Sequence, residues 1–197
     1  AEINIITGVT ITQSPSNATI CIGQTANFSI QATGDSISYT WYLGSTALNN
    51  STHITGAQSA NLVINNVTLA DAGNYSCRID GPCTFDKSNV GILTVSKATS
   101  IQQQPSNITV CEGTEAHFEV TSIGSNLSYQ WQKDGIDISD GNSLFGSNTS
   151  VLLLYDVSIS DQGVYRCLVS GDCQSELSNP ANLTVNQNPD AAGTITG

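Results

Sequence analysis

Basic residues are scarce. Five Lys and Arg stand against 16 Asp and Glu in 197 residues, a formal net charge of −11. Neutralising phosphates takes Lys and Arg, so the composition argues against nucleic acid, other polyanions and anionic membrane surfaces as partners. No apolar run approaches the roughly 18 residues that suggest a membrane span, so no membrane insertion is read. The opening Ala1-Glu2-Ile3-Asn4 has neither a basic region nor an apolar stretch, so no signal peptide is read either. Other features point outside the cell, and the expectation is a segment of a longer exported protein. Histidine is limited to His53 and His117. A nucleophile–His–acid triad needs a His beside a Ser or Cys. His117 falls between inward Ala116 and Phe118 and should face solvent. His53 lies in a polar stretch with Ser143 at the matching place of the second half, and is also read as a surface residue. There is no C-x-x-C pair for structural zinc. The reading is not an enzyme, with no catalytic residue and no cofactor.

What is present is a repeat. Shifted by about 90 positions, the chain superimposes on itself without a gap. Pro15 falls on Pro105, Cys21 on Cys111, Gly23 on Gly113 and Phe28 on Phe118. Tyr39 and Trp41 fall on Tyr129 and Trp131. Asp71, Gly73, Tyr75, Cys77 and Cys83 fall on Asp161, Gly163, Tyr165, Cys167 and Cys173. Leu93-Thr94-Val95 recurs as Leu183-Thr184-Val185. Runs such as Phe28-Ser29-Ile30 and Leu62-Val63-Ile64 cluster β-formers between Gly, Asn and Ser turns, and no sustained helical period appears. The spacing predicts an all-β chain of two small sandwiches joined by a short linker. Residues 1–97 form the first, 98–187 the second, and 188–197 a linker toward a following module. Asp80-Gly81 and Asp134-Gly135 are read as tight turns. If Asp80-Gly81 and Ser170-Gly171 are two-residue turns, Cys83 and Cys173 sit opposite Arg78 and Leu168.

The most specific pattern is D-x-G-x-Y-x-C, as Asp71-Ala72-Gly73-Asn74-Tyr75-Ser76-Cys77 and Asp161-Gln162-Gly163-Val164-Tyr165-Arg166-Cys167. It resembles the E–F corner and strand F of the immunoglobulin superfamily, over residues from about 10 to 186. The resemblance implies that Trp41 and Trp131 are the buried strand C tryptophans and that Tyr75 and Tyr165 are tyrosine corners. One departure stands out. Ile30 and Val120 occupy the positions where such domains carry the first cysteine of the inter-sheet bridge. Cys77 and Cys167 are then expected as buried thiols acting as small hydrophobes.

Four cysteines remain. Within one such domain, Cys21 is expected at the end where strand B starts and Cys83 near the opposite end. A separation of five or more strand residues exceeds the roughly 7 Å that a disulfide allows between Cα atoms. In a tandem, the lower end of one domain meets the F–G end of the next, so a Cys21–Cys173 bridge is the hypothesis. Cys111 and Cys83 are then left for neighbours. A bridge inside one domain, including Cys77–Cys83, and free thiols stay open as alternatives, because connectivity does not follow from sequence.

A closer resemblance adds expectations. Ser128-Tyr129-Gln130-Trp131-Gln132-Lys133-Asp134-Gly135 and Ser178-Asn179-Pro180-Ala181-Asn182-Leu183-Thr184-Val185 look like repeats of long secreted and surface proteins of Bacteroidetes. The tail Ala192-Gly193-Thr194-Ile195-Thr196-Gly197 resembles the opening of a PKD-like module. That resemblance implies an exported, extracellular or cell-surface protein, and a stalk, spacer or adhesive role for the repeats. The expected partners are neighbouring domains of the parent protein, with a cell-surface glycan or protein as the alternative. The F–G segments 81–89 and 171–179 would carry such binding. A third reading is a eukaryotic receptor ectodomain, for which the ten N-x-S/T sequons would be glycan acceptors. Asp134, Asp137 and Asp140 flank the predicted C–C′ turn and form the one calcium candidate. Their spacing departs from an EF-hand loop.

Overall fold

The computed structural model describes residues 6–187. The chain divides into two compact units, Ala1–Ser96 and Lys97–Gly197. The expected linker 188–197 lies outside the described residues.

The strands of the first unit are β1 (Thr10–Gln13), β2 (Ala18–Cys21), β3 (Ala26–Ser29), β4 (Gln31–Thr33), β5 (Ser38–Leu43) and β6 (Thr46–Ala47). They continue as β7 (Ile54–Thr55), β8 (Asn61–Ile64), β9 (Gly73–Asp80), β10 (Phe85–Lys87) and β11 (Gly91–Ser96). One sheet runs β2-β11-β9-β5-β6, with β10 also on β9; the facing sheet runs β3-β8-β7, and β1 pairs with β4. The β2–β11 ladder is parallel and registers Cys21 with Ser96. All other ladders of the unit are antiparallel. Pro15 lies between β1 and β2, where the chain leaves the ladder with β4 and joins β11. Proline has no N–H to donate, so a ladder cannot continue through it unbroken. Pro105 does the same in the second unit, whose sheet topology repeats that of the first.

Alternation explains which faces are buried. Ala26, Phe28 and Ile30 point inward while Asn27 and Ser29 face out, and Ala116, Phe118 and Val120 repeat the pattern. Phe28 stacks on Tyr75 at 4.8 Å between ring centroids and tilts against Trp41 at 6.3 Å. Phe118 meets Tyr165 at 4.7 Å and Trp131 at 6.0 Å. Each unit thus builds its own aromatic core, and both tryptophans are fully buried. Ile30 and Val120 are buried in the same clusters as Cys77 and Cys167. Apolar packing therefore occupies the place of an inter-sheet bridge.

The structure changes two of the expected turns, one in each unit. Asp134 (φ 53°) and Gly135 (φ 81°) form the expected two-residue turn. Asp80-Gly81 does not. Phe85 registers with Asp80, so four residues, 81–84, make the connection, closed by Gly81 N–H on the Thr84 carbonyl at 2.9 Å. Pro82 is tolerated within the connection but does not set its length, because Ser170 registers with Ser175 across the same four-residue connection with Asp172 in that place. Gly171 N–H closes on the Gln174 carbonyl at 3.1 Å in the second unit. Cys83 and Cys173 consequently sit in the turns themselves, not opposite Arg78 and Leu168.

Candidate functional site

The D-x-G-x-Y-x-C segments build a corner before they build a strand. In each unit a single 3-10 turn, Leu69–Asp71 or Ile159–Asp161, leads into the long strand. The Asp71 carboxylate accepts the backbone N–H of Thr68 at 2.7 Å and its hydroxyl at 2.8 Å. Asp161 accepts the N–H and hydroxyl of Ser158, both at 2.8 Å. The Tyr75 hydroxyl donates to the Asp71 carbonyl at 2.7 Å, and that of Tyr165 to the Asp161 carbonyl at 2.8 Å. Burial pushes the Tyr75 phenol up to about 12, with the Asp71 charge adding to it. Burial and the nearby Asp161 and Asp134 charges raise that of Tyr165 as well. These tyrosines are neutral hydrogen-bond donors, not acid–base groups.

Each tryptophan is tied in the same way. Trp41 Nε1–H donates to the Ser59 carbonyl at 2.8 Å, and Trp131 Nε1–H to the Thr149 carbonyl at 2.9 Å. Cys77 and Cys167 are buried, free thiols. Burial pushes them up to about 11 and about 12, so neither is a ready nucleophile. A buried serine, which the sequence reading missed, closes each strand: the Cys77 N–H donates to Ser88 Oγ at 2.9 Å, and the Cys167 N–H to Ser178 Oγ at 2.9 Å. The Ser-Asn pairs that follow the turn by the same interval in both halves were the available signal.

His53 is not a plain surface residue. Its Nε2 lies 2.8 Å from Asp71 Oδ1, and the histidine is half-buried. Desolvation works to raise the Asp71 carboxyl, but the hydrogen bonds from His53 and Thr68 outweigh it and hold the group below the usual carboxylate range. Periodicity gave no sign of this pair, because Ser143 replaces the histidine in the second unit. His117 is exposed.

The calcium candidate is not assembled. Asp134 accepts the Val164 N–H at 2.9 Å, Asp137 accepts the Gln132 side-chain amide at 2.7 Å, and Asp140 accepts the Ser147 N–H at 2.8 Å. Each carboxylate is used by a separate local donor. Among the described residues no group of three or more His, Cys, Asp or Glu is placed to hold a metal ion.

Surface features differ between the units. On the first, Tyr42, Gly44, Ser45, Arg78, Phe85 and Lys87 line a shallow groove of about 290 Å³. Phe85 is 63% exposed, and the Arg78 guanidinium lies 4.2 Å from its ring centroid while paired to Asp80. The asparagines of all ten sequons are exposed.

Both ends of each unit carry a cysteine. Cys21 lies at the exit end, beside Ser96, where Ile22 N–H bonds the Ser96 carbonyl at 3.0 Å. Cys173 lies at the entry end of the second unit, in the turn whose Gln174 amide donates to the Thr99 carbonyl at 2.8 Å. Cys21 and Cys173 are in disulfide form. Cys83 and Cys111 are exposed free thiols.

Two family models match the chain: one described as "Immunoglobulin domain" over residues 10–80, the other as "Immunoglobulin I-set domain" over residues 99–185. The chain is a tandem of two immunoglobulin-like domains. It is similar to an I-band fragment from titin, with a TM-score of 0.76 at 21% identity over 94% of this chain and 67% of that one. That likeness concerns the fold alone. Neural cell adhesion molecule L1.1 of Danio rerio is 31% identical over 151 residues, 73% of this chain and 12% of that protein. Contactin-1a of Danio rerio is 26% identical over 169 residues, 79% of this chain and 16% of that protein. The chain thus spans less than a fifth of these two relatives. Both are animal proteins, so the bacterial origin suggested by the short motifs gains no support from them. Those motifs hold the buried Trp131 and the last strand, which any immunoglobulin-like domain of this type needs. No helix among the described residues is long and apolar enough to cross a membrane.

Proposed function

We propose that the chain is a non-catalytic spacing and adhesion segment of an extracellular or cell-surface protein of the immunoglobulin superfamily, with its junction stapled by a Cys21–Cys173 disulfide. The observation that carries the reading is that Cys21 and Cys173 are both in disulfide form and that each lies, within its own unit, next to the chain that joins the two. Cys21 registers with Ser96 and Cys173 sits in the turn bonded to Thr99. Ser96 and Thr99 are three residues apart, so their Cα atoms lie within roughly 11 Å whatever the linker does. A disulfide belongs to an oxidising, extracytoplasmic compartment, in keeping with adhesion-molecule relatives. The mechanism is mechanical: two domains joined by a stub and a staple transmit position and force to whatever the parent protein carries. A non-reducing peptide map after alkylation tests it. A Cys21–Cys173 peptide is the expected result; alkylation of both cysteines, or a bridge inside one domain, contradicts the staple.

The exposed Phe85 favours a second reading, in which the first domain binds a protein partner through the face of Tyr42, Arg78, Phe85 and Lys87. An aromatic ring with an arginine stacked on it is a common interface anchor. Beads coated with the chain should bind or cluster through this face and lose at least about tenfold in avidity with Phe85→Ala. Equal behaviour of both proteins removes the second reading.

A further inference from the structure

The two free exposed cysteines occupy the repeat positions of the two oxidised ones. Cys111 is to the second unit what Cys21 is to the first. It ends the parallel edge ladder in register with Asn186, and Glu112 N–H bonds the Asn186 carbonyl at 2.9 Å, as Ile22 bonds Ser96. Cys83 is to the first unit what Cys173 is to the second. It lies in the same four-residue turn, and that turn holds the entering chain through the Val9 N–H on Thr84 Oγ1 at 3.0 Å. Each unit therefore has one cysteine at its exit and one at its entrance. A bridge from an exit cysteine to an entrance cysteine is heterologous: it leaves one unused position at each end, and it propagates.

We infer that Cys83 and Cys111 are docking positions for further immunoglobulin-like units, continuing the same staple in both directions. The inference rests on the proposed Cys21–Cys173 bridge. The partner after Cys111 is a domain with a cysteine in the turn position of Cys173. The partner before Cys83 is one with a cysteine ending its parallel edge strand, as Cys21 does. In each step two Sγ–H groups become one S–S bond. The two protons and two electrons pass to a small-molecule disulfide, which is reduced to two thiols.

The test is the full chain carrying, directly after Gln187, a second copy of residues 98–187. It is oxidised in a glutathione buffer, alkylated and mapped without reduction. Two bridges are expected: Cys21–Cys173, and Cys111 to the Cys173 of the added copy. Cys111→Ser should leave that added cysteine alkylatable and keep the first bridge. Protection of the added copy's Cys167 from alkylation reports that the copy has folded. If Cys21–Cys173 forms in a folded protein while Cys111 is alkylated or capped by glutathione, the inference is overturned and the staple stands. If neither bridge forms, both fall together.

Discussion

Ninety residues apart, the two domains repeat their interiors and diverge on their faces. Phe28, Trp41, Tyr75 and Cys77 are matched by Phe118, Trp131, Tyr165 and Cys167, with ring spacings equal to within a few tenths of an ångström. Outside the core the match fails. His53 bonds Asp71 in the first domain, whereas Ser143 stands at that place in the second. Phe85 under Arg78 gives way to Ser175 and Leu168. Residues 1–97 carry five acids against three bases, and residues 98–197 eleven acids against two. The difference teaches where the constraint lies. Packing and the two tied aromatic donors specify the sandwich, while strand faces and turns are free to take different charges and different contacts.

The largest effect expected is in the shared core. Trp41→Ala and Trp131→Ala should each cost about 3–5 kcal/mol and lower the unfolding transition of their own domain. Calorimetry checks this; a loss spread evenly over both transitions would break the picture of two separate cores. Next come Gly56 and Gly146, at φ 75° and 83°, where a Cβ would be driven into the carbonyl oxygens of Asn61 and Val151. Gly56→Ala should cost on the order of 1–3 kcal/mol or more in denaturant melts. Gly135→Ala, with open space around its Cβ, should cost less. Tyr75→Phe and Tyr165→Phe remove one hydroxyl each, and both should lose about 1 kcal/mol. Unequal losses would show that the corners are not equivalent.

The smallest effect tests the divergence itself. His53→Ser gives the first domain the second domain's residue and should cost under about 1 kcal/mol at neutral pH. Its clearer mark is in acid. The Asp71 carboxyl is held below its ordinary value in the folded state. Its contribution is therefore present above the unfolded value near ~3.9 and is lost as pH falls through the folded value. With the carboxyl less depressed, the variant should lose less first-domain stability than wild type between about pH 5 and pH 2, so that the two melting profiles converge in acid. Superimposable profiles would mean that Thr68 alone holds the carboxylate.

How much was legible follows the same division. The sandwich could be read because Trp, Tyr, Gly and Pro recur at fixed intervals, and each has a backbone or packing reason to be where it is. The four-residue turn at 81–84 was missed because Asp-Gly is a strong hairpin signal, and the pairing of Phe85 with Asp80 that sets the length shows only in the strand register. The His53–Asp71 pair was missed because it joins two loops of one domain with no echo in the other. The carboxylates at 134, 137 and 140 are close in sequence yet serve three different donors, a division that spacing does not encode. The buried Ser88 and Ser178 were hidden by composition, since serine is common on every surface strand.

The most direct test of the account is the contour length of a single chain pulled from its ends, with and without reductant. A Cys21–Cys173 staple encloses about 150 residues and routes force around them. The account predicts that the oxidised chain stops short by roughly 500 Å, and that reduction releases this length. Equal contour lengths in both conditions would contradict it, and the two domains would be joined by their linker alone.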